Sequence, residues 1–328
     1  MKKIKTILLA LVIMVGMVVC LNGATYAEEE TGVGGTKISI SPVSNMLSIS
    51  SKSEYDAKFE VKNSSDSKME VEVYAAPYSY VYSEDEDSYK LGFNNENNYT
   101  QIARWITFKA DDESWKDKVT YTIDPNATRE IDYKITTPNN IPAGGQYAVI
   151  FAHTLNGVMS SSGIRTEASP GLIVYGRSTE GDAVVSSEVR DMKIEQSITD
   201  GNGTRNNFYA TAKVKNTGNI DFGAFGKMTV SPIIGGSSYE TPPENARISV
   251  IPESELAVSD EWTESPGFGI YKVTWTVTAG EESETIERIV FVNPLPFIII
   301  TIILLTIIIG LVIIVVRKRK ERRSRLNV

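Results

Sequence analysis

The stretch Ala57–Val73, AKFEVKNSSDSKMEVEV, alternates apolar with charged or polar residues on both sides of a short polar break, NSSDS. Side chains of an extended chain point to opposite faces with a period of two, so Tyr55, Ala57, Phe59 and Val61 share one face. Met69, Val71 and Val73 share another. Each half reads as a strand with one buried and one wetted face, and NSSDS reads as a hairpin turn or a corner between two sheets. The word VKN that closes the first strand, Val61–Asn63, recurs at Val214–Asn216. There Tyr209, Thr211 and Ala212 lead into Val214, NTGN follows, and a strand over Phe225–Val230 comes next. In both copies the spacing predicts valine inward, lysine in water and asparagine opening the turn.

A second echo joins IPAGGQYAVIF, from Ile141, to SPGFGIYKVTW, from Ser265. In each, a Pro/Gly turn delivers a tyrosine two residues after a glycine at the start of a strong strand. Immunoglobulin-like folds place a tyrosine there, its hydroxyl bonding back to the preceding loop. Tyr147 and Tyr271 are the candidates, the alternative being ordinary strand tyrosines. Further strands are expected at Val119–Ile123, Ile131–Ile135, Leu172–Tyr175, Val184–Ile194 and Ile286–Val292. Helical periodicity is nearly absent. The expected fold is all-β, with two tandem immunoglobulin-like β-sandwiches over 37–178 and 182–292, followed by one transmembrane helix.

The ends of the chain carry a different pattern. Residues 1–27 place three lysines before an apolar run and a small-residue site ending at Ala27, the layout of a secretory signal peptide, with 28–36 as a flexible segment after it. Residues 297–316 carry no charge and are long enough to cross a hydrocarbon core of ~30 Å as a helix. The tail 317–328 opens with RKRKERRSR and is expected on the cytoplasmic side, which puts both sandwiches outside the cell membrane of a single-pass protein. Two prolines within 293–296 make a stiff joint, so the second sandwich should sit directly on the bilayer and the first should project away.

Charge and cysteine usage narrow the function classes. The whole chain has a formal charge of -8, but 28–296 alone holds 23 basic and 40 acidic residues, about -17. So acidic a surface repels phosphate backbones and argues against nucleic-acid binding. The one cysteine, Cys20, lies in the leader, leaving no disulfide or thiol chemistry. Extracellular domains without disulfides behind a lysine-rich leader point to a bacterium, and the sequons at Asn63, Asn98, Asn126 and Asn202 then carry little weight.

Catalytic patterns are sparse. The only histidine, His153, would have to be the base of any triad, yet it ends a β-rich run and no GxSxG accompanies it. The EDED run at Glu84–Asp87 reads as solvated loop, or secondarily as a weak calcium site. The DGNGTRNN segment at Asp200 reads as a turn, since it lacks the closing glutamate of a calcium loop. No phosphate-cradling glycine loop, CxxC or HExxH occurs. The chain is therefore expected to be no enzyme, with no cofactor, metal or small-molecule substrate.

One surface feature points to binding. From Val71 the odd positions Val71, Val73, Ala75 and Val81 would face the core, while Tyr74, Tyr78, Tyr80 and Tyr82 would form a stripe on the opposite face. Tyrosine rings are flat, amphipathic and cost little entropy to order, which suits sugar stacking or a protein partner. These four are the candidate ligand-binding residues. Pro77 offers the alternative of a bulge that turns the later rings inward, and the polar segment from Ser83 to Asn98 could cover them.

The leader, ISISPVSNMLSIS leading into KFEVKNSSDSKMEVEVY, and then ARWITF, TIDPNATREIDYKITTP and IPAGGQYAVIF together resemble bacterial surface proteins of the WxL-interacting family. That resemblance implies an N-terminal peptidoglycan-binding domain, a second immunoglobulin-like domain for partner binding, and a C-terminal membrane helix with a basic tail. The expected function is binding of cell-wall glycan, a surface protein, or both. The alternative is a chaperone-like assembly factor that pairs a strand edge with another secreted or surface protein.

Overall fold

The computed structural model describes residues 38–84, 88–155, 158–159, 165–198, 206–241, 247–262, 269–292 and 295–326. The expected leader, the 28–36 segment, the acidic run beyond Glu84 and the loop at Asp200 lie outside the described residues.

In chain order the strands are β1 (Ile38–Ser41), β2 (Ser44–Ile49), β3 (Glu54–Asn63), β4 (Met69–Pro77), β5 (Ser79–Ser83), β6 (Ser88–Gly92), β7 (Ile106–Lys109), β8 (Trp115–Lys116), β9 (Lys118–Ile123), β10 (Thr128–Thr136), β11 (Gly145–Thr154), β12 (Val158–Met159), β13 (Arg165–Thr166) and β14 (Gly171–Ser178). They are followed by β15 (Ser187–Ile198), β16 (Asn206–Asn216), β17 (Phe222–Ile234), β18 (Tyr239–Glu240), β19 (Ile248–Val250), β20 (Glu255–Trp262), β21 (Gly269–Ala279) and β22 (Glu282–Val292), and then by the helix α1 (Leu295–Leu326).

The first sandwich stacks the sheet β1-β3-β10-β7-β8 on the sheet β2-β14-β11-β4-β9. The second stacks β15-β16-β20 on β18-β17-β21-β22, with β19 also paired to β17. With the strands lettered along each chain segment, one sheet carries A-B-E and the other G-F-C, the immunoglobulin-like order. In the first sandwich the A strand is split at the cis Ser41–Pro42 peptide. β1 runs antiparallel to β3 in one sheet, and β2 runs parallel to β14 in the other.

Alternation puts the predicted residues inside. Phe59, Val61, Val71 and Val73 are buried in the first core with Phe108, Tyr133 and Ile150, and β3 and β4 lie in different sheets, so NSSDS is a corner. The second core gathers Val214, Met228, Val230, Trp262, Tyr271 and Trp275, with the Trp262 ring stacked on Tyr239 at 5.0 Å and on Phe208 at 5.5 Å. In β16 the inward set is Phe208, Ala210, Ala212 and Val214, so the expected lead-in residues Tyr209 and Thr211 face outward instead. The strand expected from Val184 begins at Ser187, because Val184 spends its N–H on Asn219 Oδ1 (2.7 Å) and its C=O on the Asn219 N–H (3.0 Å).

The repeated VKN has one structural meaning in both places. Asn63 and Asn216 are buried at the ends of the two B strands. The Asn63 amide donates to Ser67 O (2.8 Å), Asp124 O (3.1 Å) and Ile123 O (3.2 Å), while its Oδ1 accepts from the Ser65 N–H and hydroxyl. The Asn216 amide donates to Val250 O (2.8 Å) and Ile220 O (2.9 Å), and its Oδ1 accepts from the Gly218 N–H. Each asparagine ties its own turn to the segment that leads into the E strand, β10 or β20, so a turn residue on paper is a buried polar clamp in the fold.

The helix α1 contains the segment Ile298–Arg317, which is long and apolar enough to cross a membrane.

Candidate functional site

The tyrosines from β4 onward do not form one open stripe. Alternation holds to Tyr74, which lies half-buried on the outer face of its sheet, 5.6 Å from Phe151 with Lys118 Nζ 5.4 Å from its ring. β4 ends at Pro77, whose missing N–H cannot continue a ladder, and the chain then turns. Tyr78 is 7% exposed and packs with Ala76, Tyr147, Val149 and Ile251, the last from the second sandwich. Tyr80 is half-buried between this cluster and the second core, and only Tyr82 is substantially exposed, its ring 5.4 Å from Tyr89 in the β5–β6 hairpin. The expectation of four rings on a free face is thus corrected: Tyr78 and Tyr80 help join the two sandwiches. The sequence signal for this was Pro77 itself.

The polar heart of that joint is Tyr147. Its position at the start of strand β11 is the predicted one, but its hydroxyl does not bond to its own preceding loop. It donates to Asp221 Oδ1 (3.0 Å) and accepts the Asp221 N–H (2.8 Å), so it crosses to the second sandwich. Arg177 Nη2 reaches both Asp221 carboxylate oxygens at 3.3 Å. Beside this group the Gly145 N–H donates to Asn219 O (2.7 Å), and Gly144, at φ +93°, leaves no room for a Cβ, which would stand 2.1 Å from that same oxygen. The VKN turn of the second sandwich, running on to Asp221, is therefore a plug inserted at the start of β11. Tyr271, the counterpart of Tyr147, is fully buried, with its hydroxyl against Gly236, which at φ +62° and without a side chain leaves it the space.

Burial sets the proton chemistry of these rings. Burial, with Asp221 nearby, holds the Tyr147 phenol far above its ordinary range, and burial beside Tyr80 and Tyr175 does the same for Tyr78. Burial pushes Tyr121 up to about 12. A phenol that ionises near 10 in the unfolded chain and near 12 in the folded one contributes fully to stability below pH 10. That contribution is lost as the pH rises toward 12, because the unfolded state gives up the proton first. Alkaline titration is accordingly expected to show two steps: the exposed rings ionise first, and the remaining tyrosinate absorbance rises only in step with loss of β-sheet circular dichroism above pH 10. Ionisation of the full complement of tyrosines ahead of unfolding would contradict the burial of these rings.

An open cleft of about 440 Å³ lies between the hairpin and the second sandwich, with Tyr82 and Tyr89 on one side and Arg190, Lys213, Lys215 and Glu255 on the other. Two of its cations are compensated: Arg190 pairs with Glu255 at 2.6 Å and Glu188 at 3.4 Å, and Lys213 lies 3.8 Å from Asp191. Trp115, 39% exposed, carries Lys134 Nζ over its ring at 5.0 Å. His153 presents Nδ1 to Ser169 Oγ at 2.7 Å, and the carboxylate facing it across the ladder, Glu72, is held by Lys118 at 2.9 Å. A relay to a nucleophile would need the histidine's two nitrogens between serine and carboxylate, an arrangement this pairing does not make. Among the described residues no cluster of three or more His, Cys, Asp or Glu side chains could hold a metal.

The sheet edges differ in how they are guarded. β9 carries Lys118, β20 carries Glu255, Asp260 and Glu261, β15 is charged along its length, and β22 is charged over Glu282–Arg288. Among the described strands of five or more residues that end a sandwich sheet, β2 alone has no charged residue; with β1, the run Ile38–Ser50 has none at all. Val43 is 70% exposed and Met46 58%. The carbonyls of Val43 and Ile49 face β14, accepting from Ile173 and Thr179. By alternation the N–H and C=O groups of Ser44, Met46 and Ser48 point away from the sheet, a ready template for another strand.

No family model matches the chain, and no characterised protein matches it in sequence. Among solved structures, the chain is similar to a class 5 fimbriae chaperone, CfaA, at 10% identity over 79% of this chain and 100% of that one, with a TM-score of 0.34. It is similar to the Salmonella enterica SafA pilin in complex with the SafB chaperone at 11% identity, over 82% of this chain and 100% of that one, with a TM-score of 0.33. The E. coli chaperone DraB gives 16% identity over 76% of this chain and 96% of that one, with a TM-score of 0.30. At these scores the likeness carries no inference about what this chain binds.

Proposed function

We propose that this protein is a non-enzymatic, membrane-anchored module that engages another secreted or surface protein by main-chain pairing along the free edge of β2, with the sandwiches outside and the basic tail inside. The observation that carries this reading is the uncharged, exposed edge Ser44–Ile49, whose outward backbone groups are unguarded while the other long edges bear charge. Main-chain pairing supplies affinity, and the exposed Met46 side chain supplies a side-chain contact beside it. This places the partner-binding surface away from the tyrosine stripe. Cell-wall glycan, the other expected ligand, is left with Tyr82, Trp115, Tyr209 and Phe291 as exposed rings among the described residues.

The full-length chain in detergent, used as bait on secreted proteins of its own cells, should retain a protein partner. Met46→Lys places a charge on the edge, and Ser48→Pro removes an outward N–H without touching the β14 ladder. Each should weaken capture about tenfold, since a lost backbone bond or a misplaced charge costs on the order of 1 kcal/mol or more. Thr120→Lys on the already charged β9 edge should leave capture unchanged. Equal capture by all three variants would refute the edge reading. Retention on isolated wall glycan that is insensitive to the β2 variants would put the glycan reading in its place.

A further inference from the structure

The outer face of the sheet β18-β17-β21-β22 changes character along its length. Far from α1 the outward residues of β21 and β22 are polar, with Thr276 bonded to Thr285 at 2.8 Å and Thr278 to Ser283 at 3.0 Å. Midway, Lys272 pairs with Glu287 at 2.6 Å. At the other end the register lines up Ile234, Ile270 and Phe291 on three adjacent strands, with Ile289 next to them opposite Lys272. Ile289 is 60% exposed, Phe291 57%, Ile233 54% and Ile234 50%. Contiguous exposed apolar groups of this size mark a contact surface rather than scattered surface residues.

What covers the patch follows from the chain itself. Phe291 is four residues before Leu295, the first residue of α1, so it lies within ~14 Å of the helix start even if the joint is fully extended. The apolar end of the sheet is the end from which the candidate membrane span leaves, and the threonine-lined end is the remote one. We infer that Ile233, Ile234, Ile270, Ile289 and Phe291 rest in the lipid interface beside the helix, so that the second sandwich is held against the bilayer by a sheet face as well as by its tether. This rests on the reading of α1 as a membrane span. The occupant is the interfacial layer of the lipid, where apolar side chains enter the headgroup and upper acyl region while Lys272 and Glu287 mark the water line.

The full-length chain with Cys20→Ser, placed one copy per disc in nanodiscs of phosphatidylcholine and phosphatidylglycerol, tests it. Spin labels on Phe291→Cys and on Ile234→Cys should be more accessible to oxygen than to a water-soluble nickel chelate. A label on Thr278→Cys, ~27 Å along the same strand and face from Ile270, should show the reverse. An aqueous signature at either patch position overturns the inference, and so does dipolar broadening that reports a second chain over the patch. The unmodified chain gives an independent reading with a lipid that carries a photoactivatable group in its acyl chain. Labelling of peptides covering 231–234 and 286–292 together with 298–317 supports the inference. Labelling of 298–317 alone overturns it while leaving the span in place, and absence of labelling from 298–317 as well refutes the membrane reading on which it rests.

Discussion

Asn63→Ala is expected to lower the melting temperature of the first sandwich by roughly 10 °C, and Asn216→Ala to do the same to the second, each with little effect on the other. The side chains are buried, and each satisfies backbone groups from two separate segments. Alanine leaves the carbonyls of Ser67, Ile123 and Asp124, or of Ile220 and Val250, with fewer donors, those of Ile123, Ile220 and Val250 in buried sites. An unsatisfied buried group costs about 1–3 kcal/mol, so a loss of about 3 kcal/mol per variant is the order expected. For folding units of this size, 1 kcal/mol moves the midpoint by roughly 3–4 °C. Calorimetry on the full-length chain checks the result. A shift of under about 2 °C in either variant would mean that the clamp is dispensable and that the repeated word reflects turn propensity alone.

Asp221→Ala is expected to uncouple the sandwiches. The carboxylate accepts the Tyr147 hydroxyl and both contacts from Arg177, and Tyr147 is fully buried. Removing it leaves the buried Tyr147 O–H without an acceptor, though the backbone N–H of residue 221 still donates to its oxygen, and unpairs an arginine that is already partly enclosed, at a cost of about 2–3 kcal/mol borne by the joint rather than by either core. The chain should then become more sensitive to limited proteolysis between Thr179 and Ser186, the connector between β14 and β15. Tyr147→Phe should produce the same opening to a smaller degree. The two together should fall short of additivity by about 1 kcal/mol or more, because both remove one shared hydrogen bond. Additive losses, or unchanged proteolysis, would show that Tyr147 and Asp221 do not act as a unit.

The two readings drawn from echoes in the sequence met different fates. VKN was legible because its valine and lysine obey a local rule, period-two alternation, and that rule places Val61 and Val214 inward without knowledge of the rest of the chain. Its asparagine was legible only as a turn former, since the carbonyls it holds belong to segments about 60 residues away in one sandwich and 34 in the other. Tyr147 was likewise placed on the right strand, but its partner lies 74 residues on in the other sandwich. The tyrosine stripe failed for a related reason. Alternation describes a face and does not say what lies over it, and Pro77 moved the later rings into a joint that only the packing of two sandwiches creates.

The amino-acid sequence alone determined most of the long alternating strands, though not β2, β7 or β20, together with the two layered cores and the apolar segment of α1, because each of these is written in the spacing of apolar residues along a short window. Which edge stays unguarded, which tyrosines are buried and which apolar side chains gather next to the helix were decided by the tertiary structure. Those properties depend on the register between strands and on contacts between residues far apart in the chain, and no local period encodes them.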